Sequence, residues 1–144
     1  MAAAEFTTDP EFFELLDASF DPIGIVDVQG RYLWINEASV QIFGYAREEV
    51  LHTHFRDRVL PDEPVSGAME RALHGSAAAV VRRLRCKDGS VAVMRTELIP
   101  LGDGRVLIHG TDLTQLYELS RATVARFGEQ RPSGDDAPPS SMGA

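Results

Sequence analysis

Cysteine is almost absent. Cys86 is the only one in 144 residues, so no disulfide can form within the chain, and a reducing, cytoplasmic setting is the natural expectation. No apolar run approaches the length of a membrane helix, and the N-terminus lacks the basic-then-apolar pattern of a secretion signal. Clustered basic residues are scarce too. The formal net charge is −8, which argues against a nucleic-acid partner, because binding a phosphate backbone needs grouped Lys and Arg. The one basic stretch, Arg82, Arg83, Arg85 and Lys87, has strand alternation and reads as a solvated face. A glycine-rich phosphate loop, a serine nucleophile elbow, a paired zinc motif and an internal repeat are all missing, so the expectation is a protein that is not an enzyme. What is present, 44% hydrophobic and 25% charged residues, fits one globular domain with tails.

The most informative stretch runs from Ile23 to Leu51. An apolar run, Ile23 to Val28, turns at Gln29-Gly30 into a second, Tyr32-Leu33-Trp34-Ile35, the pattern of a β-hairpin. Asn36 stands where a side-chain oxygen can cap a helix over Glu37 to Phe43. Gly44 suits that helix's end, since it takes the left-handed conformation without a Cβ clash. Ala46 to Leu51 starts a second short helix.

Upstream, Asp9 and Pro10 mark a helix start, and Phe12, Leu15, Leu16 and Phe20 recur at helical spacing. Asp21-Pro22 ends that helix. Downstream, Pro61-Asp62-Glu63-Pro64 reads as a turn and helix start, with Val65, Met69, Ala72 and Leu73 marking a helix to about His74-Gly75. Three strands follow: Ala77 to Cys86, Val91 to Leu101 and Arg105 to Thr111, joined by turns at Lys87-Asp88-Gly89-Ser90 and Gly102-Asp103-Gly104. Asp112 can cap a last helix to about Phe127, paired with Gln115. Its apolar seam, Leu113, Leu116 or Tyr117, Val124 and Phe127, is incomplete and broken by Ser120.

Strand, turn, strand, Asn, helix, Gly-Tyr, helix, then a three-strand meander ending in Asp112-Leu113-Thr114 resembles the PAS (Per-Arnt-Sim) domain family over about residues 12 to 127. The resemblance implies an α+β fold: a five-stranded antiparallel sheet of order 2-1-5-4-3, helices on one face, and flanking N- and C-terminal helices. The expected divisions are a disordered or foreign tail at 1–8, a flanking helix at 9–20, the core at 21–112, an exit helix at 113–127 and a disordered tail at 128–144.

In that family a ligand lies between the sheet's inner face and the helices. Strand alternation puts Ala92, Met94, Thr96 and Leu98 on the pocket side, because this set lacks charge. The expected roof is Ile42, Phe43, Leu51, Phe55, Met69 and Leu73, and the floor Ile25, Ile35 and Ile108. The competing reading of these residues is a dry core. Asp112 and Thr114 are expected to cap the exit helix and couple strand movement to it.

Cofactors stay unassigned. Gly44 to Leu51 is similar to the segment preceding the reactive cysteine of the light-oxygen-voltage branch, but that cysteine's position falls here on Phe55. A flavin–cysteinyl adduct is therefore not expected, and non-covalent flavin has no support of its own. For haem, His74 stands two residues from the position implied by family haem binders, where this chain has Ala72. That is roughly 200° around a helix, so His74 would point away from the pocket. His52, His54 and Asp57 could bind a metal but are equally a plain loop, and no metal site is assigned. His109 is expected on the outer face, under the first helix or at a dimer contact.

The resemblance implies a sensory or dimerisation domain of a signal-transduction system, two-component regulation included. It would act as a homodimer through its flanking helices, taking a small ligand and passing the change to a downstream signalling protein or output domain. The alternative is a ligand-free module used only for assembly.

Overall fold

Asn36 holds the two ends of the fold's first half together. In the computed structural model, which describes residues 9–63 and 67–128, this side chain is fully buried. Its Oδ1 accepts the N–H of Ile23 at 2.9 Å and of Ser39 at 3.0 Å. Its Nδ2 donates to the carbonyls of Leu16 at 2.8 Å and Asp21 at 2.9 Å. One amide thus uses both donors and both acceptor sites. It caps a helix and ties three other segments to it.

The capped helix is α2 (Glu37–Phe43), and the three segments are α1 (Pro10–Asp17), the Asp21 turn after it and β1 (Ile23–Val26), with β2 (Tyr32–Ile35) paired antiparallel to β1. After α2 come α3 (Arg47–Val50), a 3₁₀ turn (Phe55–Arg58) and α4 (Ala68–Leu73). The chain then forms β3 (Ala78–Arg85), β4 (Val91–Pro100) and β5 (Val106–Asp112), and leaves through α5 (Thr114–Gly128). The sheet is antiparallel with order β2-β1-β5-β4-β3, the order implied by the resemblance. Gly44 ends α2 at φ 84°, the left-handed conformation that made it a stop signal.

Two layers of helix flank this sheet. The inner face carries α2, α3, α4 and the 3₁₀ turn, with a buried core of Val26, Ala68, Met69, Ala72, Val80, Leu98 and Val106. On the outer side Phe13 of α1 meets Trp34 at 4.9 Å between ring centroids, and α5 packs on β4.

Two helix boundaries differ from the sequence expectations by several residues. The first helix stops at Asp17, and Phe20, expected on its apolar face, is 94% exposed beyond it. The helix before β3 starts at Ala68 after Gly67 at φ 75°, while Asp62 and Glu63 lie in the preceding turn and pair with arginines instead. The expected positions at 1–8, Val65 and 129–144 lie outside the described residues, as do the side chains of Val124 and Phe127. No described helix is long and apolar enough to cross a membrane.

Candidate ligand cavity and helix clasp

Antiparallel register sets which side chains share the inner face. Ala78, Leu98, Ile108, Gly24 and Ile35 stand side by side across all five strands. The next row is Val80, Thr96 and Gly110, and the next Arg82 and Met94. Cross-strand neighbours of this kind point the same way. Two of them, Gly24 and Gly110, have no side chain, and a cavity of about 310 Å³ opens over this part of the sheet. Phe43 of α2, Phe55 of the 3₁₀ turn and Met69 of α4 help to close it.

Seven of the twelve residues expected at a pocket border this cavity: Phe43, Phe55, Met69, Met94, Thr96, Leu98 and Ile108. Five do not. Ile25 lies on the opposite face, beside Trp34 and Leu107. The inward residues of β1 are Gly24 and Val26, and of these Gly24, whose position the larger isoleucine concealed, borders the cavity. Ile35 does face inward but is buried beyond the cavity's edge, in the same row as Gly24. Ile42 packs with Cys86, Ala92 and Met94, and Leu73 packs on the Val26–Val106 cluster. Leu51 follows the end of α3 and lies outside the lining. Ala92, from the uncharged face of β4, also fills that Cys86 cluster rather than the cavity wall.

The wall also carries groups that sequence reasoning did not place there. Arg82 lies in the inward row, not on a solvated face. Its guanidinium meets Glu63 at 3.3 Å, with side-chain exposures of 15% and 9%. Glu63 also accepts from Arg83 Nε, and Arg83 reaches Asp62 at 3.0 Å. Alternation held the signal, because Arg82 shares parity with Val80 and Leu84, both of which line the cavity. Tyr32 was missed for another reason. The β1–β2 register shifts between Ile25 and Val26, so Tyr32 pairs with Val26 and turns to the cavity, and an irregularity of this kind has no reliable sequence mark.

Apart from the paired Arg82 and Glu63 and the exposed Arg56 and Glu70, the polar side chains at the described wall are hydroxyls. Tyr32, Ser39 and Thr96 line the cavity. Burial pushes the Tyr32 pKa up, offset in part by Arg58, so its hydroxyl keeps its proton at neutral pH. Among the described residues, no histidine or cysteine borders the space. His74 is exposed on the far side of α4's end, with Nδ1 2.7 Å from the Glu70 carbonyl. His54 Nδ1 accepts the Arg56 N–H and caps the 3₁₀ turn. Among the described residues no group of three His, Cys, Asp or Glu is arranged to hold a metal ion. His109 lies on the outer face, between Asp21 at 2.9 Å and Glu97 at 3.1 Å.

At the sheet's exit Asp112 and Thr114 form a compact clasp. Asp112 Oδ1 accepts the Thr114 N–H at 3.0 Å and its hydroxyl at 2.6 Å. The Thr114 Oγ1 in turn accepts the Val93 N–H at 2.9 Å, and the Leu113 N–H donates to the Val93 carbonyl at 2.8 Å. Both backbone groups of Val93 are thus spent on the start of α5. The expected Gln115 partner is replaced by this strand contact.

The chain matches the family model described as PAS fold over residues 16–118. Its structure is similar to a domain of the sensory box sensor histidine kinase/response regulator from Geobacter sulfurreducens, at 23% identity and a TM-score of 0.63, covering 74% of this chain and 99% of that one. It is also similar to a PAS domain from Colwellia psychrerythraea, at 21% identity and a TM-score of 0.64, covering 71% and 93%. The Rhodobacter sphaeroides LOV protein is 17% identical with a TM-score of 0.68, covering 87% and 74%. No curated protein sequence matches.

Proposed function

Because the chain belongs to the PAS fold family, we propose that it is a sensory domain that takes a small molecule in its cavity and relays occupancy through α5. One observation carries the reading: Met94 lines the cavity, and the next residue toward the strand's start, Val93, holds α5 by two hydrogen bonds. A change in how Met94 packs has a path of one peptide unit to the exit helix. The sensory setting of the Geobacter relative supports a downstream signalling protein or output domain as the recipient.

Binding is a better fit than catalysis. The most buried carboxylate in the wall, Glu63, is held by two arginines, which keeps it from acting as a free acid or base. Exposed Leu15 and Phe20 near α1, and Leu116 and Leu119 on α5, support a homodimer through the flanking helices, since unpartnered apolar surface is a common mark of association. Sedimentation of Leu116→Asp/Leu119→Asp against the parent chain tests that part, a monomer being the expected result for the variant.

The relay is tested by filling the cavity. Thr96→Phe places a ring in the space, and amide exchange of Leu113 to Tyr117 is compared with that of the core strands. A several-fold change confined to the start of α5 is expected. Unchanged exchange there would leave only the assembly module, for which the cavity has no role.

A further inference from the structure

The chemical class of the ligand can be argued from the cavity wall, on the reading that the cavity is a ligand site. A cavity of about 310 Å³ has room for a compact organic molecule of roughly ten to fifteen non-hydrogen atoms. Most of the wall is apolar: Phe43, Met69, Leu84, Met94, Leu98 and Ile108. Its half-buried charges are already matched to each other, since Glu63 is shared between Arg82 and Arg83. The other charged lining residues, Arg56 and Glu70, are exposed. A charged ligand would therefore give up its hydration with no free counter-charge inside.

Hydroxyls are the groups left to use. Neither Tyr32 Oη nor Thr96 Oγ1 has a hydrogen-bond partner among the described residues. Arg58 Nε is the one sealed, unpartnered side-chain nitrogen or oxygen among them. The two hydroxyls of these half-buried, cavity-lining residues therefore open onto free volume rather than onto packed protein. Because the Tyr32 hydroxyl stays protonated, it can donate to a ligand oxygen.

We propose that the cavity takes a neutral, largely apolar molecule of about ten to fifteen non-hydrogen atoms, bearing a hydrogen-bonding oxygen that the hydroxyls of Tyr32 and Thr96 hold. Sensing would then respond to an uncharged compound such as an aryl ketone or phenol rather than to a carboxylate, an amine or a phosphorylated metabolite.

Four probes of eight or nine non-hydrogen atoms, just below that size and small enough to enter the space, separate the alternatives: acetophenone, ethylbenzene, benzoate and benzylammonium, each titrated while the amide signals of Met94, Thr96, Leu98 and Ile108 are followed. Acetophenone is expected to bind best. Ethylbenzene, lacking the acceptor, should bind at least roughly three- to tenfold more weakly, the worth of one hydrogen bond or more. Tyr32→Phe should weaken acetophenone toward the ethylbenzene level without changing ethylbenzene, and Thr96→Val should do the same if Tyr32→Phe fails to fold. Both ions should bind at least about tenfold more weakly than acetophenone. Equal or tighter binding of either ion overturns the neutral class while keeping the cavity as a ligand site. If no probe moves these amides, both the class and the ligand-site reading fall.

Discussion

The hydroxyl of Thr114 accepts the Val93 N–H at 2.9 Å, fixing the first turn of the exit helix to the strand that floors the cavity. The same hydroxyl donates to Asp112, so one side chain fills a donor and an acceptor role at once. Thr114→Val keeps the shape and removes both, leaving a part-buried N–H unmatched. The expected cost is about 1–3 kcal/mol, with faster amide exchange at Val93 and Leu113. Thr114→Ser should restore both. Equal exchange in all three proteins would show that the clasp holds nothing.

Asn36 is the larger stake. Its four hydrogen bonds join α1, the segment after it, β1 and α2, in a site with no solvent access. Asn36→Ala strands the N–H groups of Ile23 and Ser39 and the Asp21 carbonyl, while the Leu16 carbonyl keeps the Ser19 N–H, for an expected loss of roughly 3–5 kcal/mol. Asn36→Asp is the sharper experiment, because a carboxylate keeps the bonds to Ile23 and Ser39 but faces the carbonyls of Leu16 and Asp21 with no donor. It should be at least as damaging as alanine at neutral pH and recover as acid protonates the carboxyl. Urea midpoints across about pH 4 to 7 would show the crossing, and a flat difference would count against the assigned orientation of the amide.

The strands of the sheet and the capping role of Asn36 were legible in the sequence because each rests on local chemistry, turn residues, alternation and a helix cap, while the strand order came from the resemblance alone. The cavity's helical roof was legible in Phe43, Phe55 and Met69, and its sheet wall where alternation was followed strictly. Met94, Thr96 and Leu98 come from one uncharged face and all line it. Arg82 obeys the same parity, yet its charge suggested solvent, because the partner that neutralises it, Glu63, is 19 residues away. Gly24 and Gly110 lacked an apolar side chain to draw notice, although glycine inside a strand often marks close approach or a binding space. Tyr32 depends on a register shift, which is set by tertiary pairing and not by the strand's own residues.

Glu63 and Arg82 make the charge balance of the wall testable. Glu63→Gln leaves Arg82 nearly buried with no carboxylate, while Arg83 keeps Asp62. The expected cost is about 1–3 kcal/mol, below the full penalty of a deeply buried pair because Arg82 retains some contact with water. Replacing both partners, Glu63→Gln with Arg82→Met, should cost less than Glu63→Gln alone, since no charge is then stranded. The single variant should also gain affinity for benzoate, which could take the vacated place on Arg82. Additive losses in the double variant would mean the two side chains do not interact.

Tyr32 gives a pH signature. Burial holds its pKa above the ordinary value near 10 that it regains on unfolding. Below the unfolded value the hydroxyl is protonated in both states and its full contribution to stability is present. As pH rises past about 10, the unfolded chain loses the proton first, the folded state binds more protons, and stability falls until the folded hydroxyl also ionises. Tyr32→Phe removes this loss, while Tyr45 and Tyr117 stay the same in both proteins. Urea midpoints should therefore drop more steeply for the parent chain than for Tyr32→Phe between about pH 9 and 11, with one tyrosine's absorbance near 295 nm appearing only on unfolding. Parallel curves would place the Tyr32 hydroxyl in water.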